Sequence, residues 1–188
     1  MKRAQLISEI VGEFLLPLLG FIFWDWSLYF ILLYIIFDYF IRLVYAFWRP
    51  QLNNKRQLIR PFLFFISFLI LSHFYAALSD ITWRFDKAFS DFFWYDDLFI
   101  PQGFILIPLL LYTEYSRSRM EIMISGSFDI VKMLQNIANR LFLATLILIL
   151  MSVILAIFSW TQFTATIFFL AFWLFLIIQE NKGAFLKD

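Results

Sequence analysis

The chain has 188 residues, of which 63% are hydrophobic, and its 15 basic and 14 acidic residues give a formal net charge of +1 at pH 7. Soluble domains are only about 45–50% apolar, so this composition indicates an integral membrane protein, and the balanced charge gives no sign of nucleic-acid binding. The chain lacks cysteine, which excludes disulfide bonds, thiolate metal sites and cysteine nucleophiles.

Apolar blocks long enough to cross a membrane recur along the whole chain. A helix needs about 20 residues to cross a ~30 Å hydrocarbon core. The blocks predict an all-α fold, a polytopic transmembrane helical bundle that forms a single domain over residues 1–188. Six spans are expected, at Leu6–Phe23, Ser27–Phe47, Pro61–Leu78, Leu98–Tyr115, Leu141–Ser159 and Phe163–Gln179. Four spans, with the chain ends on the same side as before, are the alternative if one hairpin is merged or lost.

The basic residues are distributed unequally between the two sides of this bundle. If the N-terminus lies in the cytoplasm, twelve of the fifteen basic residues fall on the inner side. The outer loop between the third and fourth spans instead carries five acids, namely Asp80, Asp86, Asp91, Asp96 and Asp97. Because basic loops are retained in the cytoplasm, the chain is predicted to lie in the cytoplasmic (inner) membrane with both termini inside.

Two loop segments carry an amphipathic pattern and are predicted to form short helices. In Ser127–Arg140 and the residue that follows it, the apolar side chains recur at helical spacing, at Ile130, Leu134, Ile137 and Leu141. In the outer loop a similar stripe comprises Phe85, Phe89 and Phe92. Each segment is predicted to lie flat in the membrane interface with its apolar face down, and docking against the bundle is the alternative for each.

The most informative residues are an acid and a base inside a predicted span. Asp38 lies about halfway along Ser27–Phe47, and Arg42 follows it one helical turn later. A charge at bilayer depth costs at least ~2.5–3.5 kcal/mol on insertion scales, so it usually faces the bundle interior. Acid before base at this spacing favours an ion pair, although the long Arg42 side chain could also snorkel to the cytoplasmic surface. The pair is either an ion, proton or headgroup site, or a structural pair that fixes helix packing.

Three further titratable residues fall within or near the predicted spans. Glu13 lies about two turns into the first span, where Pro17 should weaken the helix and free a carbonyl for a neighbour or for water. Glu114 lies near the inner end of the fourth span, and His73 lies towards the outer end of the third. With the Asp–Arg pair they would form a ladder of groups suited to a proton or cation path. The simpler alternatives are an interfacial Glu114 and a hydrogen-bonded packing role for His73.

These residues favour one function and leave a second open. The first is an oligomeric channel- or transporter-like module for protons or small ions. The second is a non-enzymatic membrane anchor, sensor or accessory subunit that binds a cytoplasmic partner through loops 49–60 and 117–140. Besides the lipid bilayer, the expected partners are further copies of the chain or a larger membrane complex. A single histidine and the lack of cysteine predict no metal or cofactor and no enzyme activity, although carboxylate-based lipid chemistry stays open.

The first half of the chain resembles a known family. Pro17–Tyr34, which reads PLLGFIFWDWSLYFILLY, is similar to the opening of an uncharacterised family of prokaryotic six-span membrane proteins, and Asp38 stands where that family tends to have glutamate. The segment Phe64–Phe74 is similar to the family's next helix, which often carries a histidine, here His73. The family's Tyr-Trp-x-Glu is replaced by Tyr-Ile-Ile-Phe-Asp. The resemblance implies six spans and a unit formed by the acid and the histidine, and it brings no activity.

Overall fold

The computed structural model describes residues 10–24, 26–49, 54–79, 85–94, 102–126, 129–158 and 161–180, and every regular element in these ranges is helical. The α-helices are α1 (Leu16–Phe23), α2 (Leu28–Trp48), α3 (Ile59–Ser79), α4 (Phe85–Phe93), α5 (Gln102–Ser125), α6 (Ile130–Phe158) and α7 (Gln162–Glu180). A π-helical turn, Ile10–Leu15, precedes α1, and a 3₁₀ turn, Lys55–Leu58, precedes α3. The prediction of an all-α fold is confirmed.

Four of these helices are long and apolar enough to cross a membrane, namely α2, α3 with its 3₁₀ turn, α6 and α7. The described part of the first predicted span, Ile10–Phe23, is apolar but shorter. The fourth predicted span begins outside the described residues, and its helix continues as α5 for ten residues past Tyr115, through a polar stretch, to Ser125. At that point Gly126 adopts φ 77° and donates a hydrogen bond to Ile122 (2.9 Å), a left-handed helix end that glycine accommodates without strain.

The helix α2 lies at the centre of the fold. It contacts α1 and each helix from α3 to α7, and every residue from Leu28 to Ile36 is buried. Its N-terminus is capped by Ser27, whose hydroxyl accepts a hydrogen bond from the Phe30 N–H (3.1 Å). A helix that is hydrophobic on all sides is expected in the interior of a bundle. Polar side chains on α2 therefore face protein.

The extent of α6 shows that one prediction about the loop helices was wrong. The amphipathic segment Ser127–Arg140 was expected to be separate from the span Leu141–Ser159, but α6 crosses their junction without a break and runs for 29 residues, or about 43 Å. The ends of these two segments, residues 127–128 and 159, lie outside the described residues. No glycine or proline interrupts the chain at the proposed junction. The apolar stripe at Ile130, Leu134, Ile137 and Leu141 is fully buried, so this face docks against the bundle instead of lying in the interface.

The helix α4 is the second amphipathic segment, and its prediction as a helix is confirmed. Phe92 is fully buried and stacks on Phe37 of α2, with ring centroids 4.9 Å apart. Its ring also lies 5.0 Å from that of Phe30, which in turn is 4.5 Å from the ring of Trp26. These rings form an aromatic cap over the N-terminal half of α2.

The placement of α1 beside α2 depends on a close contact between the backbone of Gly20 and the ring of Trp26. The Gly20 carbonyl accepts hydrogen bonds from the N–H groups of Trp24 (3.0 Å) and Trp26 (3.1 Å), which closes the turn between the two helices. The Trp26 ring then packs directly on the glycine, so that a Cβ at position 20 would lie 2.3 Å from it. Glycine at this position therefore lets the turn fold back and places the π-helical turn alongside the polar face of α2.

Candidate functional site

The ion pair predicted on α2 is present. Arg42 Nη2 lies 2.8 Å from Asp38 Oδ2, across one helical turn. The Arg42 side chain is only 9% exposed, so it does not snorkel to the surface. Continuing along the same helix face, Tyr45 and Arg49 follow at helical spacing. The pair is thus the start of a longer polar face that points into the bundle.

Glu13 joins this pair to α6. Its Oε1 accepts a hydrogen bond from Arg42 Nη2 (2.6 Å), and its Oε2 accepts one from Arg140 Nη1 (2.5 Å). The same Arg140 nitrogen donates to the Tyr39 hydroxyl (3.1 Å). The carboxylate of Glu13 therefore bridges two guanidinium groups on two different helices. Charge-assisted hydrogen bonds of this kind are about twice as strong as neutral ones.

Glu114 enters the network from α5. Its Oε1 lies 3.3 Å from Arg42 Nε, and its Oε2 lies 3.5 Å from Arg117 Nη2. The residue is only 4% exposed, so its side chain faces the protein interior, and its position at the membrane interface stays a prediction. The physical reason is that α5 packs against α2, which turns this side of α5 away from the surface.

Among the residues that the structure describes, the charges of the network balance. Three carboxylates (Glu13, Asp38, Glu114) meet three guanidinium groups (Arg42, Arg117, Arg140), and all but Arg117 are less than a tenth exposed. They come from the π-helical turn, α2, α5 and α6. Taking two charges out of water costs several kcal/mol per ion, and only close pairing offsets this cost. Arg42 is the centre of the network because, among the contacts described, it is the guanidinium that reaches all three carboxylates. Among the described residues no group of three metal-ligating side chains is present.

The π-helical turn explains how Glu13 is presented. In a π-helix each carbonyl pairs with the N–H five residues later, so the Gly12 carbonyl would face Pro17, which has no N–H. The Tyr34 hydroxyl donates to this carbonyl instead (3.0 Å). In an α-helix Pro17 would free the carbonyl of Glu13, but in the π-helical turn it leaves that of Gly12 without an N–H partner. The Tyr34 bond satisfies this carbonyl and holds the turn against the network.

A polar seam extends from the network to the C-terminal end of α2. The hydroxyls of Tyr45 and Ser118 are hydrogen-bonded to each other, and Arg49 Nη2 donates to Ser118 Oγ (2.7 Å). The guanidinium of Arg49 also lies over the Tyr45 ring, 4.5 Å from its centroid. Hydrogen-bonding groups thus continue in this direction, whereas the aromatic cap lies in the opposite direction along α2.

His73 lies apart from the network. Its Nδ1 lies 2.8 Å from the Leu69 carbonyl oxygen, and its Nε2 lies 2.8 Å from the Tyr29 hydroxyl. Because a carbonyl can only accept, Nδ1 carries a hydrogen and donates it to Leu69. Tyr29 precedes Asp38 by nine residues, or about 14 Å along α2. The structure therefore brings Glu13, Asp38, Arg42 and Glu114 together and places His73 in a separate contact between α2 and α3.

Arg140 is the functional candidate that sequence reasoning missed, since it was counted with a cytoplasmic loop. A signal was present, because Arg140 lies three residues after Ile137 and four before Ala144, both on the buried face of α6. A basic residue that falls within an apolar stripe at helical spacing is expected to face the same way as the stripe.

Comparisons with known proteins leave the identity of the chain open. No protein-family model matches it, and no curated protein or solved structure matches it. The resemblance of Pro17–Tyr34 to a family of prokaryotic six-span proteins stays a prediction.

Proposed function

We propose that the protein is a transporter-like module for protons or small ions in the cytoplasmic membrane, with the network around Arg42 as its site. The observation that supports this most is the convergence of three carboxylates, from three separate helical elements, on one buried arginine. Ionisable groups inside a membrane bundle commonly mark ion or proton paths. A membrane location also accounts for four exposed apolar residues at helical spacing on α6, which would face lipid, namely Leu146, Leu150, Val153 and Ile157.

The direction of access follows from the proposed topology. With both termini in the cytoplasm, α2 runs inward, and Arg42 lies about 9 Å from its cytoplasmic end at Trp48. The polar seam of Tyr45, Arg49 and Ser118 then leads from the cytoplasm to the network, and the aromatic cap lies between the network and the outer side. This arrangement supports exchange of protons or ions with the cytoplasm, with the outer side closed in this conformation.

The chemistry favours a transporter over an open cation channel. The guanidinium of Arg42 is charged at any working pH, and a fixed positive charge in a pore repels cations. Asp38 differs from the other two acids, because among the described residues it contacts one guanidinium, whereas Glu13 and Glu114 each contact two. Asp38 is therefore the carboxylate that can exchange a proton while the rest of the network stays paired.

The proposal also includes six membrane spans and assembly of the protein into an oligomer or a larger complex. The helices α1 and α5 would cross the membrane together with residues outside the described ranges. The short Ile10–Phe23 segment would then be supported by the other helices, because its Glu13 side chain is held by α2 and α6. A homo-oligomer or a larger membrane complex would shield the carboxylates further.

The charge balance favours a second function. Because every carboxylate of the network has a guanidinium partner, the network can also serve only to hold the helices together. The protein would then be a non-transporting anchor or sensor that binds a cytoplasmic partner through loops 49–60 and 117–140. In that case the wild-type protein would show no flux, and neutralising one acid would change only the stability.

Ion and proton flux through purified protein in liposomes, under an imposed membrane potential, tests the first function. We expect Asp38→Asn to abolish the flux of the wild-type protein. The matched control is Asp129→Asn, the same chemical change at an exposed helix N-cap, where asparagine also caps well. Absence of flux from folded wild-type protein would overturn the proposal and favour the non-transporting function.

A further inference from the structure

A basic corner lies where α2 ends and α3 begins. It consists of four basic residues, namely Arg49, Lys55, Arg56 and Arg60. Among the residues that the structure describes, none of the four lies within 4.0 Å of a carboxylate oxygen, in contrast to the arginines of the buried network. The corner therefore keeps a local charge that none of the described side chains neutralises.

The described side chains that Lys55 and Arg60 contact are neutral. Lys55 Nζ lies over the Phe47 ring, 4.2 Å from its centroid, and the Arg60 guanidinium lies 5.8 Å from the centroid of Phe64. Arg60 also donates to Asn139 Oδ1 (3.3 Å). Cation–π contacts and amide hydrogen bonds orient a charge without cancelling it. Lys55 and Arg60 are thus oriented by neutral partners and stay positive.

Exposed apolar side chains are interleaved with the cations. Trp48 is 76% exposed, and Phe47, Ile59, Phe62 and Leu63 are each about half exposed or more. They lie at the adjoining ends of two helices that are long and apolar enough to cross a membrane. A soluble acidic protein would match the charge and leave these rings in water, whereas a lipid matches both, with a phosphate for the cations and acyl chains for the rings.

We propose that the basic corner is a binding site for the phosphate headgroup of an anionic phospholipid. The headgroup phosphate is held by Lys55 and Arg56, and Arg49 and Arg60 flank it. The acyl chains lie against the exposed rings of Trp48 and Phe62. The site rests on the cations and rings of the corner and on the membrane location of the helices, and it holds whether or not the protein conducts ions.

Lipid titration of the purified protein, followed by native mass spectrometry, tests this site. The probes are a phosphatidylglycerol and a phosphatidylcholine with the same acyl chains, with inorganic phosphate as a competitor. The variant is Lys55→Gln/Arg56→Gln. The matched control, Arg119→Gln/Lys132→Gln, removes the same number of exposed charges elsewhere. Neither pair belongs to the buried network, so both variants are expected to fold.

We expect the wild-type protein to prefer phosphatidylglycerol and the corner variant to lose this preference, by about fivefold in affinity for each charge removed. The control should keep the preference, and inorganic phosphate should not displace the lipid. Equal binding of both lipids, an equal loss in both variants, or displacement by inorganic phosphate would overturn the proposal. So would an acidic protein that binds the corner and is not displaced by phosphatidylglycerol.

Discussion

Replacing Glu13 by glutamine should destabilise the bundle more than any exposed substitution. The glutamine keeps the shape of the side chain and removes the charge that Arg42 and Arg140 share, at 2.6 and 2.5 Å. Its amide nitrogen would also face one of the two guanidinium groups, donor against donor. Removing one partner of a buried ion pair typically costs about 3–5 kcal/mol; here Arg42 keeps Asp38 and Glu114, so the cost falls mainly on Arg140 and should lie towards the lower end of this range. We expect Glu13→Gln to lower the free energy of unfolding by an amount in this range.

Equilibrium unfolding in mixed micelles, arranged as a double-mutant cycle, measures this effect. The cycle comprises Glu13→Gln, Arg140→Gln and the double variant, with Asp129→Asn as the control for removing an exposed carboxylate. The two residues share a hydrogen bond, so their interaction free energy should reach about 2 kcal/mol. An unchanged stability in Glu13→Gln, or strictly additive effects in the cycle, would show that Glu13 does not bridge the two arginines.

Three further substitutions test the surroundings of the network. Tyr34→Phe removes the only donor found for the Gly12 carbonyl among the described residues. It should lower the free energy of unfolding by about 1–3 kcal/mol. If the variant is as stable as the wild-type protein, the Tyr34 hydroxyl does not support the π-helical turn. Gly20→Ala should destabilise by about 1–3 kcal/mol, because its Cβ would meet the Trp26 ring at 2.3 Å. Gly12→Ala is the matched control, since its Cβ meets no atom within 4 Å, and similar losses in both variants would contradict the steric argument. His73→Gln should reduce stability by about 1 kcal/mol and leave liposome flux unchanged, and loss of flux would restore His73 to the path.

Contacts of the site between residues close together in the sequence could be predicted from the sequence. The spacing of Asp38 and Arg42 predicts an ion pair because residues four apart lie on one helix face, and this pair is present at 2.8 Å. The effect of Pro17 could also be predicted, because a missing N–H leaves a carbonyl to be satisfied wherever the helix packs. Which side chain satisfies it, here Tyr34, depends on the packing of another helix.

The long-range part could not be derived in the same way. Whether Glu114 faces water or the interior depends on the rotation of α5 about its axis, and its hydrophobic pattern does not fix that rotation. Arg140 was misplaced because a helix of 29 residues was divided at a change in composition, although no residue there ends a helix. His73 was grouped with Asp38 by resemblance and by depth, but it bonds to Tyr29, which lies nearer the other end of α2.

A transport site and a purely structural network predict different effects of neutralising Asp38. In a transport site the substitution abolishes flux without lowering stability, whereas in a structural network any change follows the loss of stability. Asp38 contacts Arg42, which keeps Glu13 and Glu114 when the aspartate is neutralised. Flux and unfolding should therefore be measured on the same preparation of Asp38→Asn protein, next to wild type and Asp129→Asn. We predict that Asp38→Asn loses its flux and unfolds close to the wild-type midpoint. Flux that survives in folded Asp38→Asn protein, or that falls only in step with stability, would contradict a transport role for the network.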